Sequence, residues 1–282
     1  MKKIAIAVTS TSGIDYIDAK KDCLTARLTV TFDRKEYVDY EEITADDFYQ
    51  MMLAKPDADI HTSQVSTGQF AELYEKVKAN GYEELLVITL SSKLSGTYQG
   101  AILAKDLVPG LKVEVFDSKS VSYGEAILVD HALRMVKNGA SLQEIIKKLE
   151  FVRDNTKIYV LVDTLKYLVK NGRLSSTAGL LGTLLKIKPL LKIMEDGSLK
   201  PFEKIRTTTK AQQRILEVML TETKDKDVDF FIAYTTNLDK AEYFKKEIET
   251  ARPGAKVTLY PLTPVVGAHA GPGTLGMGYS LK

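Results

Sequence analysis

Apolar positions along the chain follow two rhythms. Short runs rich in Ile, Val, Leu and Phe over Lys3–Val8, Glu84–Leu90, Lys112–Phe116, Lys157–Val162, Asp229–Thr235 and Lys256–Leu262 read as strands. Between most of them lie longer segments whose apolar residues recur three and four apart, the mark of a helix with one buried face. Alternation of this kind predicts βαβ units, a parallel sheet covered by helices. End signals agree with the periods. Thr44 precedes the helix predicted over Ala45–Lys55, Ser141 with Glu144 forms a capping box, and Asn138-Gly139 closes the preceding helix.

Two regions break the alternation. Leu24–Tyr40 alternates like paired strands, and Lys188–Lys204 carries two strand-like runs around Asp196-Gly197, a strong hairpin signal. The helical rhythm restarts after Lys157, so the chain divides near Asn155. The expectation is an α/β protein of two domains with mostly parallel sheets, residues 1–155 and 156–282, and a ligand cleft between them.

Composition narrows the function. Of 282 residues 44% are hydrophobic, enough for two cores, and the net charge of +2 comes from basic residues scattered rather than massed, which disfavours nucleic acid as a partner. One cysteine, Cys23, forms no internal disulfide, and one Cys with three His at unrelated spacings builds no metal framework. A reducing, cytoplasmic location is expected. The apolar run Ile4–Val8 is too short for a signal peptide, and no stretch of 18 apolar residues spans a membrane.

Three hydroxyl-rich turns sit where open α/β sheets bind ligands, at strand ends and helix starts. They are Thr9-Ser10-Thr11-Ser12-Gly13, Thr62-Ser63-Gln64-Val65-Ser66-Thr67 and Ser91-Ser92-Lys93-Leu94-Ser95-Gly96-Thr97. Backbone N–H groups at a helix start favour an anion, and Ser and Thr add donors without charge. Each cluster taken alone is also ordinary helix capping. Neither a phosphate-binding Gly-x-x-x-x-Gly-Lys-Ser/Thr string nor Gly-x-Gly-x-x-Gly nor Gly-x-Ser-x-Gly is present.

Taken in order, several motifs carry a resemblance. Thr62-Ser63-Gln64-Val65-Ser66, Ser91 through Tyr98, Asp163-Thr164-Leu165-Lys166-Tyr167-Leu168, Gly172-Arg173-Leu174-Ser175, Ile187-Lys188-Pro189, Glu203-Lys204-Ile205-Arg206-Thr207 and Gly267 through Gly273 resemble the successive signatures of the DegV family over nearly the full chain. Val65 stands where that family often has proline. The resemblance implies a fatty-acid-binding protein that serves as the acyl-carrying subunit of a bacterial fatty acid kinase. It implies a carboxylate held by Thr62, Ser95 and His269, with Ser63 and the Gly96 backbone as neighbours. Arg173 and Arg206 would face the kinase or the transferred phosphoryl group.

On this reading the chain is a carrier and not an enzyme. It holds no cofactor of its own, and ATP and Mg²⁺ reside on the partner kinase. Leu180–Ile187 and the helix Ile127–Val136 are candidates to line the acyl tail, and a lysine-flanked helix over Leu180–Lys192 would touch a membrane surface transiently during delivery to phospholipid synthesis. His131 falls in an amphipathic helix and reads as structural, His61 adjoins Thr62, and His269 lies in a Gly- and Pro-rich segment that reads as a loop. Two other readings stay open: a free-standing hydrolase with Ser95 as nucleophile and His269 as base, and a lipid-responsive regulator.

Overall fold

A computed structural model describes residues 3–17, 22–174, 188–205 and 207–282 of the protein. The first strand β1 (Ile4–Thr9) runs parallel to β2 (Leu24–Ala26) on one side and β6 (Glu84–Thr89) on the other, with β7 (Lys112–Asp117) completing a four-stranded parallel sheet in the order β2-β1-β6-β7. Strands of a covered parallel sheet are apolar on both faces. Ala5, Ala7, Leu85 and Val87 face one core, and Ile6, Val8, Leu86 and Ile88 face another.

The first core is closed by α1 (Ala45–Ala54), α2 (Thr67–Ala79) and α3 (Thr97–Ala104), which contribute Phe48, Met52, Phe70, Tyr74 and Ala101. The second is closed by α4 (Tyr123–Lys137) and α5 (Leu142–Asp154) through Leu128, Val129, Ala132, Ile145 and Leu149. Caps fall where the sequence predicts. The Thr44 side chain accepts from the Asp47 N–H, and Ser141 and Glu144 form a reciprocal capping box.

A three-stranded antiparallel sheet of β3 (Thr29–Phe32), β4 (Lys35–Val38) and β5 (Ile60–Ser63) packs beside this unit in the order β4-β3-β5. The alternating stretch Leu24–Tyr40 therefore splits, its first strand joining the parallel sheet and the other two pairing as a hairpin.

From Thr156 onward a six-stranded sheet forms in the order β10-β9-β8-β13-β11-β12. Its strands are β8 (Thr156–Leu161), β9 (Lys188–Ile193), β10 (Leu199–Ile205), β11 (Val228–Tyr234), β12 (Val257–Pro261) and β13 (Leu275–Leu281). Only β11 and β12 pair in parallel; the other neighbours are antiparallel. The hairpin expected around Asp196-Gly197 is β9–β10, with Gly197 at φ +84 in the turn. Strand β13, absent from the sequence expectation, inserts between β8 and β11.

Alternation along these strands sorts their side chains to two faces. Tyr159, Leu161, Phe230, Ile232, Leu275 and Met277 pack under α7 (Thr208–Glu222) and α8 (Leu238–Ala251). The opposite face carries Ile158, Val160, Phe231, Ala233 and Gly276 toward the first unit and encloses the main cavity.

Two further helices join the halves. α6 (Lys166–Lys170) follows β8, and α9 (Pro264–Ala270) follows β12. α9 places Val265 and Ala268 in the first core and Ala270 in the second, so the C-terminal segment packs back across the Asn155 boundary. The lysine-flanked helix expected over Leu180–Lys192 does not continue to Lys192, because residues from Lys188 pair as β9. The rest of that segment lies outside the described residues. Among the described residues no helix is long and apolar enough to cross a membrane.

Candidate functional site

A cavity of about 420 Å³ lies between the six-stranded sheet and the turns of the first unit, within the size range of small-molecule sites. Five of its polar residues come from three segments: Thr62, Ser63 and Gln64 from the end of β5, Ser95 from the β6–α3 turn, and His269 from the last turn of α9. Sequence reading nominated four of these five.

His269 is the first departure from expectation. It sits on a helix rather than in a loop. Thr263 caps that helix by accepting from the Val266 N–H, and Pro264 occupies its first turn, where a missing N–H costs nothing. Gly267 permits the helix to lie against α1, since a Cβ there would stand 2.2 Å from the Tyr49 hydroxyl. Tyr49 is in turn fixed by donating to the Leu262 carbonyl at 2.8 Å.

The Thr62 and Ser95 hydroxyls each have a side-chain partner. His269 Nε2 lies 2.8 Å from Thr62 Oγ1. With the proton on Nε2 the ring donates to Thr62, and the threonine's own proton is left for a ligand. Ser95 Oγ accepts from the Thr97 N–H at 3.2 Å and lies 2.9 Å from Thr97 Oγ1. Either hydroxyl of that pair can donate; where Thr97 donates, Ser95 keeps its proton for a ligand. His269 Nδ1 is buried without a hydrogen-bond partner among the described residues. Burial, reinforced by the charge of Arg173, holds the His269 pKa down to about 3, so the ring is neutral at physiological pH.

Arg173 is the second departure. Its side chain reaches into the same cavity, with Nε donating to the Leu94 carbonyl at 3.1 Å and Nη1 to the Asn171 carbonyl at 2.7 Å. Burial lowers its pKa, yet a guanidinium stays protonated in a protein. The polar end of the cavity thus combines neutral donors with one cation, and Arg173 is not confined to an outward-facing surface. Arg206, expected beside it in role, lies outside the described residues.

Gly96 is exposed and does not line the cavity. A Cβ there would come 2.3 Å from Gln64 Oε1, the far end of an exposed side chain that can swing aside.

The first hydroxyl turn is not a ligand site of free donors. Thr9 and Thr11 both donate to the carboxyl of Glu125, Thr11 at 2.8 Å. Ser10 and Ser12 accept from the backbone of Leu28 and Ile14. Glu125 is fully buried, and burial pushes its pKa up to about 8 against the lowering effect of these hydrogen bonds. In sequence it hides as the last residue of a capping box, Ser122-Tyr123-Gly124-Glu125. Ser122 itself has φ +63 and lines the cavity. Its hydroxyl lies 2.9 Å from the Tyr260 hydroxyl, which also accepts from the Tyr123 N–H at 2.6 Å.

Apolar side chains form the rest of the wall. They come from the inner face of the six-stranded sheet, Val160, Phe231 and Ala233 among them. The helix Ile127–Val136 does not supply it, because its apolar stripe is already buried against the parallel sheet. Leu180–Ile187, the other expected lining, lies outside the described residues. Among the described residues no group of acidic, His and Cys side chains is assembled to hold a metal ion.

Known proteins share this architecture. The family described as "Uncharacterised protein, DegV family" matches residues 3–282. A DegV domain-containing protein of Staphylococcus aureus strain N315 is 38% identical over 282 residues, covering 98% of this chain and 97% of the relative. The crystal structure of DegV, a fatty acid binding protein from Bacillus subtilis, superimposes with a TM-score of 0.91 at 30% identity and covers 100% of both chains. A stearic acid-binding protein from Eubacterium ventriosum gives a TM-score of 0.88 at 28% identity, over 100% of this chain and 99% of that one. With the family match running nearly from end to end, this chain belongs to the DegV family.

Proposed function

We propose that the protein binds a long-chain fatty acid and presents its carboxylate to a partner kinase. The observation that carries this reading is the cavity itself, apolar along the sheet and closed at one end by Thr62, Ser95, His269 and Arg173. A carboxylate there accepts from the Thr62 and Ser95 hydroxyls, with Ser63 beside them. Solved relatives described as fatty-acid-binding support the same ligand class. Burying about fifteen methylenes at roughly 0.8 kcal/mol each gives a gross gain of about 12 kcal/mol. Association and ordering offset several of these.

In the proposed reaction a carboxylate oxygen attacks the γ-phosphorus of ATP held by the kinase, the bond to ADP breaks, and an acyl phosphate forms for phospholipid synthesis. Neutral donors keep the carboxylate nucleophilic. Arg173, and Arg206 by the family resemblance, would steady the phosphoryl charge. The carrier contributes orientation, while ATP and Mg²⁺ belong to the partner. Transient contact with a membrane surface is part of the same proposal, as is residence in the cytoplasm.

The test is extraction. Protein purified from a bacterial host and analysed by denaturing mass spectrometry should release a stoichiometric fatty acid. An extract without one, and no uptake of added palmitate or oleate, would refute the lipid assignment. A reconstituted kinase assay then tests the partner step: Arg206→Glu should reduce acyl phosphate formation while fatty acid binding persists.

A hydrolase using Ser95 and His269 has no such support. His269 Nε2 lies against Thr62 Oγ1, and among the described residues no hydrogen bond joins the imidazole to Ser95, so the base is not set on the nucleophile.

A further inference from the structure

A second cavity, of about 350 Å³, backs onto the first. Its character is opposite, with Lys119, Arg153, Asp154, Lys157 and Glu195 around it and Ser118 and Ser120 on its wall. Two residues line both cavities, Ile158 on β8 and Ile193 on β9. Both side chains are buried. They are the partition between an apolar chamber and a charged one.

Strand register shows how the apolar chamber reaches that partition. Gly276 on β13 pairs with Val160 on β8 and with Ala233 on β11. Two residues along, Gly278 pairs with Ile158 and Phe231 on the same face. The two glycines are built into opposite surroundings. A Cβ on Gly278 would strike the Phe231 ring at 2.3 Å, so that row is filled. A Cβ on Gly276 would meet only the Cβ of Ala233, at 3.7 Å, and Gly276 lines the cavity. The sheet therefore has an open floor at Gly276 and Ala233, followed at once by a raised wall of Phe231, Ile158 and Ile193. Leu199, paired with Ile193 across the β9–β10 hairpin, extends the wall.

We infer that this wall is the stop that sets the length of acyl chain the protein accepts, and that Gly276 is the floor position over which the chain passes to reach it. The inference rests on the fatty-acid reading and adds its selectivity. A chain ending short of the wall leaves apolar surface uncovered. One that is too long must fold back on itself or push a methyl end toward Lys119 and Arg153, where it gains nothing from burial. The substrate class is thus a chain of bounded length, with the bound set by side chains on β8, β9 and β11 and not by the carboxylate site.

The experiment is a titration of delipidated full-length protein with saturated fatty acids of increasing length. For the unaltered protein affinity should rise about fourfold per added methylene and then level off where the chain tip meets the wall. Ile158→Ala, which thins the partition, should move the levelling point to longer chains. Gly276→Val should move it to shorter ones, and Gly276→Ala, whose Cβ makes only an ordinary contact, by less. Thermal unfolding of each variant confirms that it is folded. Levelling at the unaltered length in Ile158→Ala and Gly276→Val alike would overturn the inference while leaving the fatty-acid reading intact. Failure of the unaltered protein to take up any acid would overturn both.

Discussion

Thr62 Oγ1 on β5 and His269 Nε2 on α9 meet at 2.8 Å across 207 positions of sequence. The pair links the three-stranded sheet to the C-terminal helix, and with the imidazole proton on Nε2 it leaves the threonine proton for a ligand. Thr62→Val keeps the side-chain shape and deletes the donor. Losing a hydrogen bond to a charged group costs about 1.5–3 kcal/mol, so fatty acid affinity should fall roughly tenfold to hundredfold. His269→Ala should weaken binding through the same hydroxyl. The double variant should then lose much less than the sum of the two, as residues acting in one relay do. Displacement of a fluorescent fatty acid measures all three. Fully additive losses would show that histidine and threonine act separately.

Placement of that histidine depends on the contact between α9 and α1. Gly267→Ala would put a Cβ 2.2 Å from the hydroxyl of Tyr49, whose buried ring is pinned by its bond to Leu262. Overpacking of this kind costs about 1–3 kcal/mol. Denaturant unfolding should show that loss, and affinity should drop with it because α9 must move away from Thr62. Tyr49→Phe in the Gly267→Ala background removes the nearest atom and should recover part of both.

The contrast between what the sequence displays and what it hides follows from the range of the interactions. The parallel strands are visible because a strand buried on both faces reads as a near-continuous apolar run, as Leu85–Ile88 does within Glu84–Thr89. Asp196-Gly197 announces the β9–β10 hairpin because turn chemistry is local. Strand β13 escapes notice because LGMGYSL carries glycine at two positions of one face, and glycine inside a strand weakens the signal. Those gaps have meaning only once the neighbours are known, Phe231 filling one and the cavity the other. Helix α9 was within reach of sequence reading, since Thr263-Pro264 is a helix-start signal, but the glycines that follow mask it. Nothing local could show that Glu125 is buried beneath Thr9 and Thr11, more than a hundred residues away.

Arg173 acts on the site by charge. Arg173→Met keeps much of the stem and removes the cation, so the carboxylate loses a favourable field and affinity should fall by about twofold to fivefold, on the order of one screened, partly exposed charge interaction. The His269 pKa should rise at the same time, because a nearby positive charge opposes protonation. Burial is the larger cause of its depression, so the ring should still titrate below the ordinary histidine value of about 6.5. NMR of the imidazole in the ligand-free protein reads this directly. An unmoved His269 pKa would mean that Arg173 is screened from it.

Two buried groups should tilt stability against pH in opposite directions. His269 has a folded pKa of about 3, below its unfolded value near 6.5. Between those limits the unfolded chain binds the extra proton, so stability rises with pH from 3 to 6.5 and is lost on acidification through that window. Glu125 has a folded pKa of about 8, above the model-peptide value of 4.5. Here the folded chain binds the extra proton, so stability falls as pH rises from 4.5 to 8. Each effect amounts to at most about 1.4 kcal/mol per pH unit. The windows overlap between pH 4.5 and 6.5, where the two slopes oppose each other, and only variants separate them. Subtracting the unaltered protein from each variant also removes the contribution of Asp39, another buried carboxyl raised to about 6. Urea unfolding should show Glu125→Gln gaining on the unaltered protein as pH climbs from 4.5 to 8 and holding level above that. His269→Gln should gain as pH drops below 6.5. A Glu125→Gln difference that is constant across pH 4.5–8 would mean that this carboxyl is ionised beneath Thr9 and Thr11, and the cavity wall beside Ser122 would then carry a buried negative charge.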